Sequence, residues 1–282
     1  MEYSVTIELS NGTKVDVFIE KPELIYGATA LVSTDIKEDL IGINPVTNEE
    51  LKIINMNEEK NRFFVPSHIQ KDYKYAKKNN LKLKQVIAPY FYGKNEEEPR
   101  LDKETQERYS VVAVIKNSND DTYLCEDAKG RNCKSFVMGG IEKSESALEA
   151  ALREVYEETG YKNVKIDNIC NFKVVNHFYA EYKGVNRYAY LNIVYGHLLD
   201  QEKIEITSEE KSKHIVKWVE KKDLENFINI ELNKYALDIL LNGEKAYEKT
   251  GVMITEDYNN GKKSLEVREE TIIFILFDYN TY

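Results

Sequence analysis

The chain is poor in residues that staple or stiffen a small protein. Its 282 residues include three cysteines, five prolines and one tryptophan. Cys125, Cys133 and Cys170 are odd in number and lack the spacing of a metal site. This argues against a disulfide framework and fits reduced thiols in a cytoplasmic protein. No apolar run approaches the length of a membrane span. The opening MEYSVTIELSNG alternates like a strand and has no apolar signal core. Basic residues are also outnumbered, 39 Lys and Arg against 49 Asp and Glu, for a net charge of −10. Nucleic-acid binding driven by phosphate attraction is therefore not expected. Lone histidines such as His177 and His197 read as packed or surface residues. What remains is ordinary for a folded protein: 42% apolar and 31% charged residues, in a length that suits one large domain or two.

One stretch stands apart. GGIEKSESALEAALREVYEETGY occupies residues 139–161. Ser146 followed by Glu149 is a capping-box signature for a helix start. Gly160 reads as its stop, in the left-handed conformation that glycine adopts cheaply. Leu148, Ala151, Leu152 and Val155 recur at helical spacing and predict a buried face. Glu154, Glu157 and Glu158 fall together on another face. Like charges at this spacing destabilise a helix. Arg153 offsets part of the repulsion as an i,i+4 partner of Glu157. A hard cation offsets more, and carboxylates with water and phosphate oxygens suit Mg²⁺.

The spacing Gly139, five residues, Glu145, seven residues, Arg153-Glu154-Val155-x-Glu157-Glu158-x-Gly160-Tyr161 resembles the Nudix box. That box marks hydrolases of nucleoside diphosphates linked to another group. Tyr161 departs from the pattern, where an aliphatic residue is usual; its expected effect is on packing. The resemblance implies that Glu154, Glu157 and Glu158 ligate Mg²⁺ or Mn²⁺. It implies that Arg153 holds one of these carboxylates, that Gly139 lets backbone approach the metal, and that Glu145 contributes nearby. The general base is left open among Glu154, Glu157, and Glu209 or Glu210 of the loop TSEEKSKH. Family members often place a glutamate shortly before a Trp-Val strand, here Trp218-Val219. Tyr179 stands where dinucleoside-polyphosphate hydrolases of the family carry a tyrosine, but the chain has 20 tyrosines.

Around the box, SVVAVIK (110–116) and DTYLCED (121–127) read as a hairpin. NVKIDNICNFKVVNHFY, RYAYLNIVYGHLL and HIVKWVE read as strands; KKDLENFI and ELNKYALDILLN read as helices. The expected fold class is α/β: a Nudix α/β/α sandwich with a mixed sheet over 106–242. The charged stretch YGKNEEEPRLDKETQER before it reads as a linker.

The flanks, 1–105 and 243–282, resemble a split editing domain of class I aminoacyl-tRNA synthetases, the leucyl branch above all. The resemblance rests on Gly27-Ala28-Thr29, the Asn44-Pro45-Val46 turn, Val65-Pro66-x-His68-x-x-Lys71-Asp72 and the tail segment 246–267. It implies a smaller discontinuous β-rich α/β domain. Its hydrolytic parts are missing: Ile19 to Leu24 replace the threonine strip, Glu59-Lys60-Asn61 replace the Gly-Thr-Gly loop, and Ile69 replaces the first aspartate. Asp72 is read either as an amine-binding carboxylate or as a first-turn helix acid. The expected function is metal-dependent cleavage of a diphosphate linkage in a nucleotide sugar, dinucleoside polyphosphate or nucleoside triphosphate. The outer domain would cap the site, shape specificity or mediate a homodimer. The alternatives are a binder of tRNA or an aminoacyl nucleotide, and a non-catalytic nucleotide sensor.

Overall fold

The structure is a computed structural model that describes residues 3–170, 172–242, 247–257 and 262–274, the last two ranges and Gln70 by backbone alone. Two compact units result: Met1–Ala88 with Gly251–Glu270, and Pro89–Thr250 with Thr271–Tyr282.

In the first unit, alternating sequence gives six short strands: β1 (Tyr3–Glu8), β2 (Lys14–Ile19), β3 (Ala30–Ser33), β4 (Ile41–Ile43), β5 (Glu50–Asn55) and β6 (Arg62–Phe64). They form one sheet in the order β1-β2-β6-β3-β5-β4. Leu31, Leu51, Phe63, Phe64 and Val65 are fully buried. Helix α1 (Gln70–Lys78) carries Asp72 in its first turn. That side chain is 0% exposed. Both its oxygens are taken by Arg62, at 2.9 and 2.8 Å, and one also accepts the Val65 N–H at 2.7 Å. His68 accepts the Val86 N–H at 3.0 Å through Nε2. Burial and the charge of Lys21 hold its imidazole down at about 3.

The second unit is built on long strands. These are β7 (Ile87–Tyr92), β8 (Thr105–Lys116), β9 (Thr122–Ala128) and β10 (Lys134–Gly140), followed by helix α2 (Ala147–Thr159). Next come β11 (Val164–Ile169), β12 (Val174–Ala180) and β13 (Val185–Leu198). The unit continues with α3 (Ser208–Lys213), β14 (His214–Glu220), α4 (Leu224–Phe227) and α5 (Glu231–Asn242). Strands β15 (Tyr247–Asp257) and β16 (Lys262–Phe274) come last in the chain and, over Gly251–Glu270, belong to the first unit. The expected editing-like tail segment, 246–267, falls on them and partly on residues 246 and 258–261, outside the described residues. The sheet runs β14-β9-β10-β8-β13-β12-β7. It is mixed, with β13 parallel to β8 and antiparallel to β12. Strand β13 is long because one edge serves β12 with its first half and β11 with its second. Helix α2 packs on one face through Ala150, Ala151 and Val155, against Val111, Ala113 and Val137. Helix α5 packs on the other through Tyr235, Ala236 and Ile239, with Val112, Val114 and Phe136.

Three expectations are corrected here. β8 and β9 are not a simple hairpin: they pair only at Lys116↔Tyr123 before β10 enters between them. Both strands are buried on both faces, and inserting β10 gives each a second ladder partner. The charged stretch before the module is not a linker. Thr105–Tyr109 belongs to β8, and the Asn186 side chain ties the segment down by bonding the backbone of Arg100 and Lys103. On α2, Leu148 and Leu152 are 39% and 38% exposed, and the seat is made by alanines instead. Small side chains let the helix axis lie close to the sheet, which lifts the leucines to the rim. No helix of the described residues is long and apolar enough to cross a membrane.

Removing the charge of Asp72 strands the Arg62 guanidinium. Asp72→Asn is expected to cost about 3 kcal/mol of stability, read as a lower Tm, while the turnover number stays at the wild-type value. An unchanged Tm would show that the buried pair is not structural.

Candidate active site

Helix α2 starts and stops as its sequence dictates. Ser146 Oγ accepts the Glu149 N–H, and Glu149 in return accepts the Ser146 N–H at 2.8 Å. Gly160 closes the helix at φ 80°, and a side chain there would sit 2.3 Å from the Ile204 carbonyl. Tyr161, just beyond, is buried, and its hydroxyl accepts from Trp218 Nε1 at 2.9 Å. Its effect is thus on packing between the end of α2 and β14.

The guanidinium of Arg153 organises the site. Nε and Nη2 grip Glu145 at 2.8 and 3.0 Å, Nη1 donates to Glu154 at 2.8 Å and to Glu157 at 3.0 Å, and Nη2 also donates to the Gly140 carbonyl at 2.7 Å. Charge-assisted bonds of this kind are the strong ones. The hydrogen bonds to Glu145 lead in raising the Arg153 pKa, and they hold Glu145 below the usual carboxylate range. Glu145 also caps its own loop by accepting the Glu142 N–H at 2.9 Å. Gly139, at the end of β10, lies under Glu154: a Cβ there would be 1.8 Å from the carboxyl carbon. Glycine at this position leaves the space that the carboxylate occupies.

Glu158 points inward, where sequence reasoning had identified no neighbour. It meets Glu126 of β9 and His214, the first residue of β14; one ligand atom from each lies within 4.8 Å of the others. Burial, then Glu126 and Glu154, push Glu158 up to about 10. Burial pushes Glu126 up to about 7. Burial also raises Glu154. Glu126 had a legible signal: it shares the strand face of buried Leu124, a charged side chain in phase with the core. His214 had none beyond its place in TSEEKSKH.

The remaining candidates divide. Glu210 and Glu209 on α3 both pair with Lys213, at 2.7 and 3.0 Å. Glu210 is 20% exposed and acts electrostatically on Glu126 and Glu158, whereas Glu209 is 77% exposed. Tyr179 lies away from the box. Gly139 is level with Val111 and so with Asn192 on β13, whereas Tyr179 is level with Asn186. That is about 20 Å along the strand and roughly 14 Å across. Arg100 stacks on Tyr179, 4.1 Å above its ring. Asp72 belongs to the other unit and is sealed by Arg62.

The same sheet face carries an aromatic row. Tyr109 sits two residues from Val111 on β8 and stacks on Tyr190 at 5.1 Å. Edge contacts then link Tyr190 to Tyr188, Tyr188 to His177, and His177 to Tyr92, at 5.5 to 5.7 Å. Lys173 Nζ lies 5.4 Å from the Tyr109 ring.

A mixed sheet between helices thus carries a glycine-backed, arginine-organised carboxylate cluster. Residues 106–238 match the family model described as NUDIX domain. The box at residues 139–161 lies inside this matched segment. Solved structures similar to it include a NUDIX hydrolase from Nitrosomonas europaea (18% identity, 50% of this chain and 92% of that one, TM-score 0.35). The dihydroneopterin triphosphate pyrophosphohydrolase of E. coli is another (16%, 50% and 99%, TM-score 0.38). The Ap4A hydrolase of C. elegans is a third (16%, 48% and 94%, TM-score 0.35). Among curated proteins none matches this chain.

The buried acids set a pH dependence. Glu126 and Glu158 hold protons in the folded chain up to about 7 and about 10, while unfolded carboxyls release theirs near 4.5. The folded state therefore binds more protons, and stability falls as pH rises through this window. Glu154 and Glu210 oppose ionisation of the pair, and His214 favours it for Glu126. In chelator-treated protein the Tm is expected to fall from about pH 5 to about pH 9, with a shallower slope in Glu158→Gln. A Tm that is flat with pH in wild type would contradict this assignment.

Proposed function

We propose that this chain is a metal-dependent hydrolase that cleaves the diphosphate linkage of a nucleoside diphosphate derivative. Nucleotide sugars, dinucleoside polyphosphates and nucleoside triphosphates are the substrate classes. The observation that carries the reading is the Arg153-held carboxylate set of Glu145, Glu154 and Glu157, with Glu158 facing inward.

The residues fit a divalent cation, Mg²⁺ or Mn²⁺. Glu158 Oε2 is buried without a hydrogen-bond partner, Glu154 lies over bare backbone at Gly139, and the donors are the hard oxygens such ions take. Glu154, Glu157 and Glu158 would hold it. When bound, the cation neutralises phosphoryl charge and lowers the pKa of attached water. The chain's own residues do the rest. Arg153 fixes the carboxylates so that they need no rearrangement when substrate arrives. Glu157, 51% exposed, keeps its carboxylate on the open side of the helix. Glu209 and Glu210 are the further candidates for proton transfer, and Glu210 is favoured because it lies nearer the cluster. The aromatic row that begins at Tyr109 supports a substrate carrying a base, since a planar ring stacks on tyrosine at little entropic cost. Lys173 places a cation at the same edge.

The flanking segments 1–105 and 243–282 are taken as one domain derived from an editing-like fold and kept as scaffold. The sealed state of Asp72 supports scaffold over amine binding. Cytoplasmic location is part of the proposal, and tRNA binding is the second reading.

The test is to incubate the chain with Mg²⁺ and a panel of nucleoside triphosphates, nucleotide sugars, ADP-ribose and dinucleoside polyphosphates, reading products by phosphorus NMR. Turnover is expected with at least one class and is expected to fall by about a hundredfold or more in Glu157→Gln. Equal turnover in the variant would remove the metal role from Glu157.

A further inference from the structure

The box supplies Glu158 to a pocket whose other walls lie outside the box. Glu126 arrives from β9, 8% exposed, and its Oε1 has no hydrogen-bond partner. Glu158 Oε2 has none either. His214 arrives from β14, also 8% exposed. Its Nε2 is 3.2 Å from Glu126 Oε1, but its hydrogen bond goes to the Glu158 carbonyl at 3.0 Å. Glu154 and Glu210 add their charge to the same place. Buried polar atoms are nearly always satisfied, and two orphaned carboxylate oxygens facing one imidazole call for an occupant. A proton shared between the two carboxyls relieves their repulsion; once it leaves, a cation is the occupant that compensates them. The lysine near α3, Lys213, is engaged by Glu209 and Glu210.

We propose that Glu126, Glu158 and His214 form an inner cation site with two oxygen donors and one nitrogen donor. It rests on the reading of Glu158 as a metal ligand and names two ligands that the box does not contain. The nitrogen donor decides the cation. Imidazole suits Zn²⁺ and related transition ions; Mn²⁺, which favours carboxylates, still accepts a nitrogen donor beside them more readily than Mg²⁺, which takes oxygen and keeps its waters. The site therefore selects a transition ion over Mg²⁺. To bind, the imidazole carries its single proton on Nδ1 and offers the Nε2 lone pair, giving up the bond to the Glu158 carbonyl. Any proton held between Glu126 and Glu158 is released to solvent, so binding tightens with pH.

The probe is Mn²⁺ on the full, chelator-stripped chain, followed by pulsed electron paramagnetic resonance and by titration in competition with Mg²⁺. The wild type is expected to show a ¹⁴N coupling to bound Mn²⁺ and a Mn²⁺ affinity at least about tenfold above that for Mg²⁺. His214→Gln, which keeps a donor for the Glu158 carbonyl, is expected to lose the coupling. Glu126→Gln is expected to weaken Mn²⁺ about tenfold or more. It should also melt no lower than wild type without metal, because it removes a like charge. Glu157→Gln keeps the nitrogen signal, which separates this site from the catalytic role of the box. Absence of the nitrogen coupling in wild type would overturn the proposal whatever the variants do. So would a coupling that persists in His214→Gln, or unchanged Mn²⁺ affinity in Glu126→Gln.

Discussion

One guanidinium holds the centre of this protein together. Arg153 donates five hydrogen bonds to three carboxylates and one carbonyl, all within 3.0 Å. Without it, Glu154 and Glu157 would repel each other at the spacing that α2 imposes, with the loop residue Glu145 close by. With it, the loop between β10 and α2 is tied to the helix that follows. The Gly140 carbonyl and Glu145 anchor the loop, and Glu154 and Glu157 anchor the helix. The capping box at Ser146 and the alanine seat on the sheet then fix the helix start and its depth. Depth matters, because Glu154 must lie on the backbone of Gly139.

Much of this local chemistry is written in adjacent residues. The helix ends are legible because Ser146, Glu149 and Gly160 act through their own backbone neighbours. The box is legible because its groups lie within twenty-three residues and meet through helical spacing. The inner cluster is different. Glu126 and His214 reach Glu158 through strand order, β14-β9-β10, which no local pattern encodes. A carboxylate in phase with Leu124 was the one available sign, and it does not say what faces it.

The misread elements fail for related reasons. Periodicity marks Leu148 and Leu152 as apolar, but it cannot say that Ala150 and Ala151 bring the helix too close for leucine at the seat. Two adjacent strands with a polar turn suggest a hairpin, but the pairing is decided by β10, which arrives later in the chain. The charged run before β8 looks solvated, yet buried Asn186 satisfies its backbone from more than eighty residues away. In each case a long-range partner outweighed a correct local preference.

Two kinds of electrostatics thus share one helix. On the outer side, charges are paired by Arg153; on the inner side, Glu158 and Glu126 are buried together beside a single imidazole. The outer set is held in place by Arg153, and its proposed role toward a phosphoryl group can be tested at its source. Arg153→Lys keeps one positive charge but cannot reach three carboxylates in the fork geometry of a guanidinium. The measurement is kcat/KM on the substrate class that the wild type turns over. The account predicts a loss of about a hundredfold with the fold retained by circular dichroism. Activity within a factor of two of wild type would contradict it.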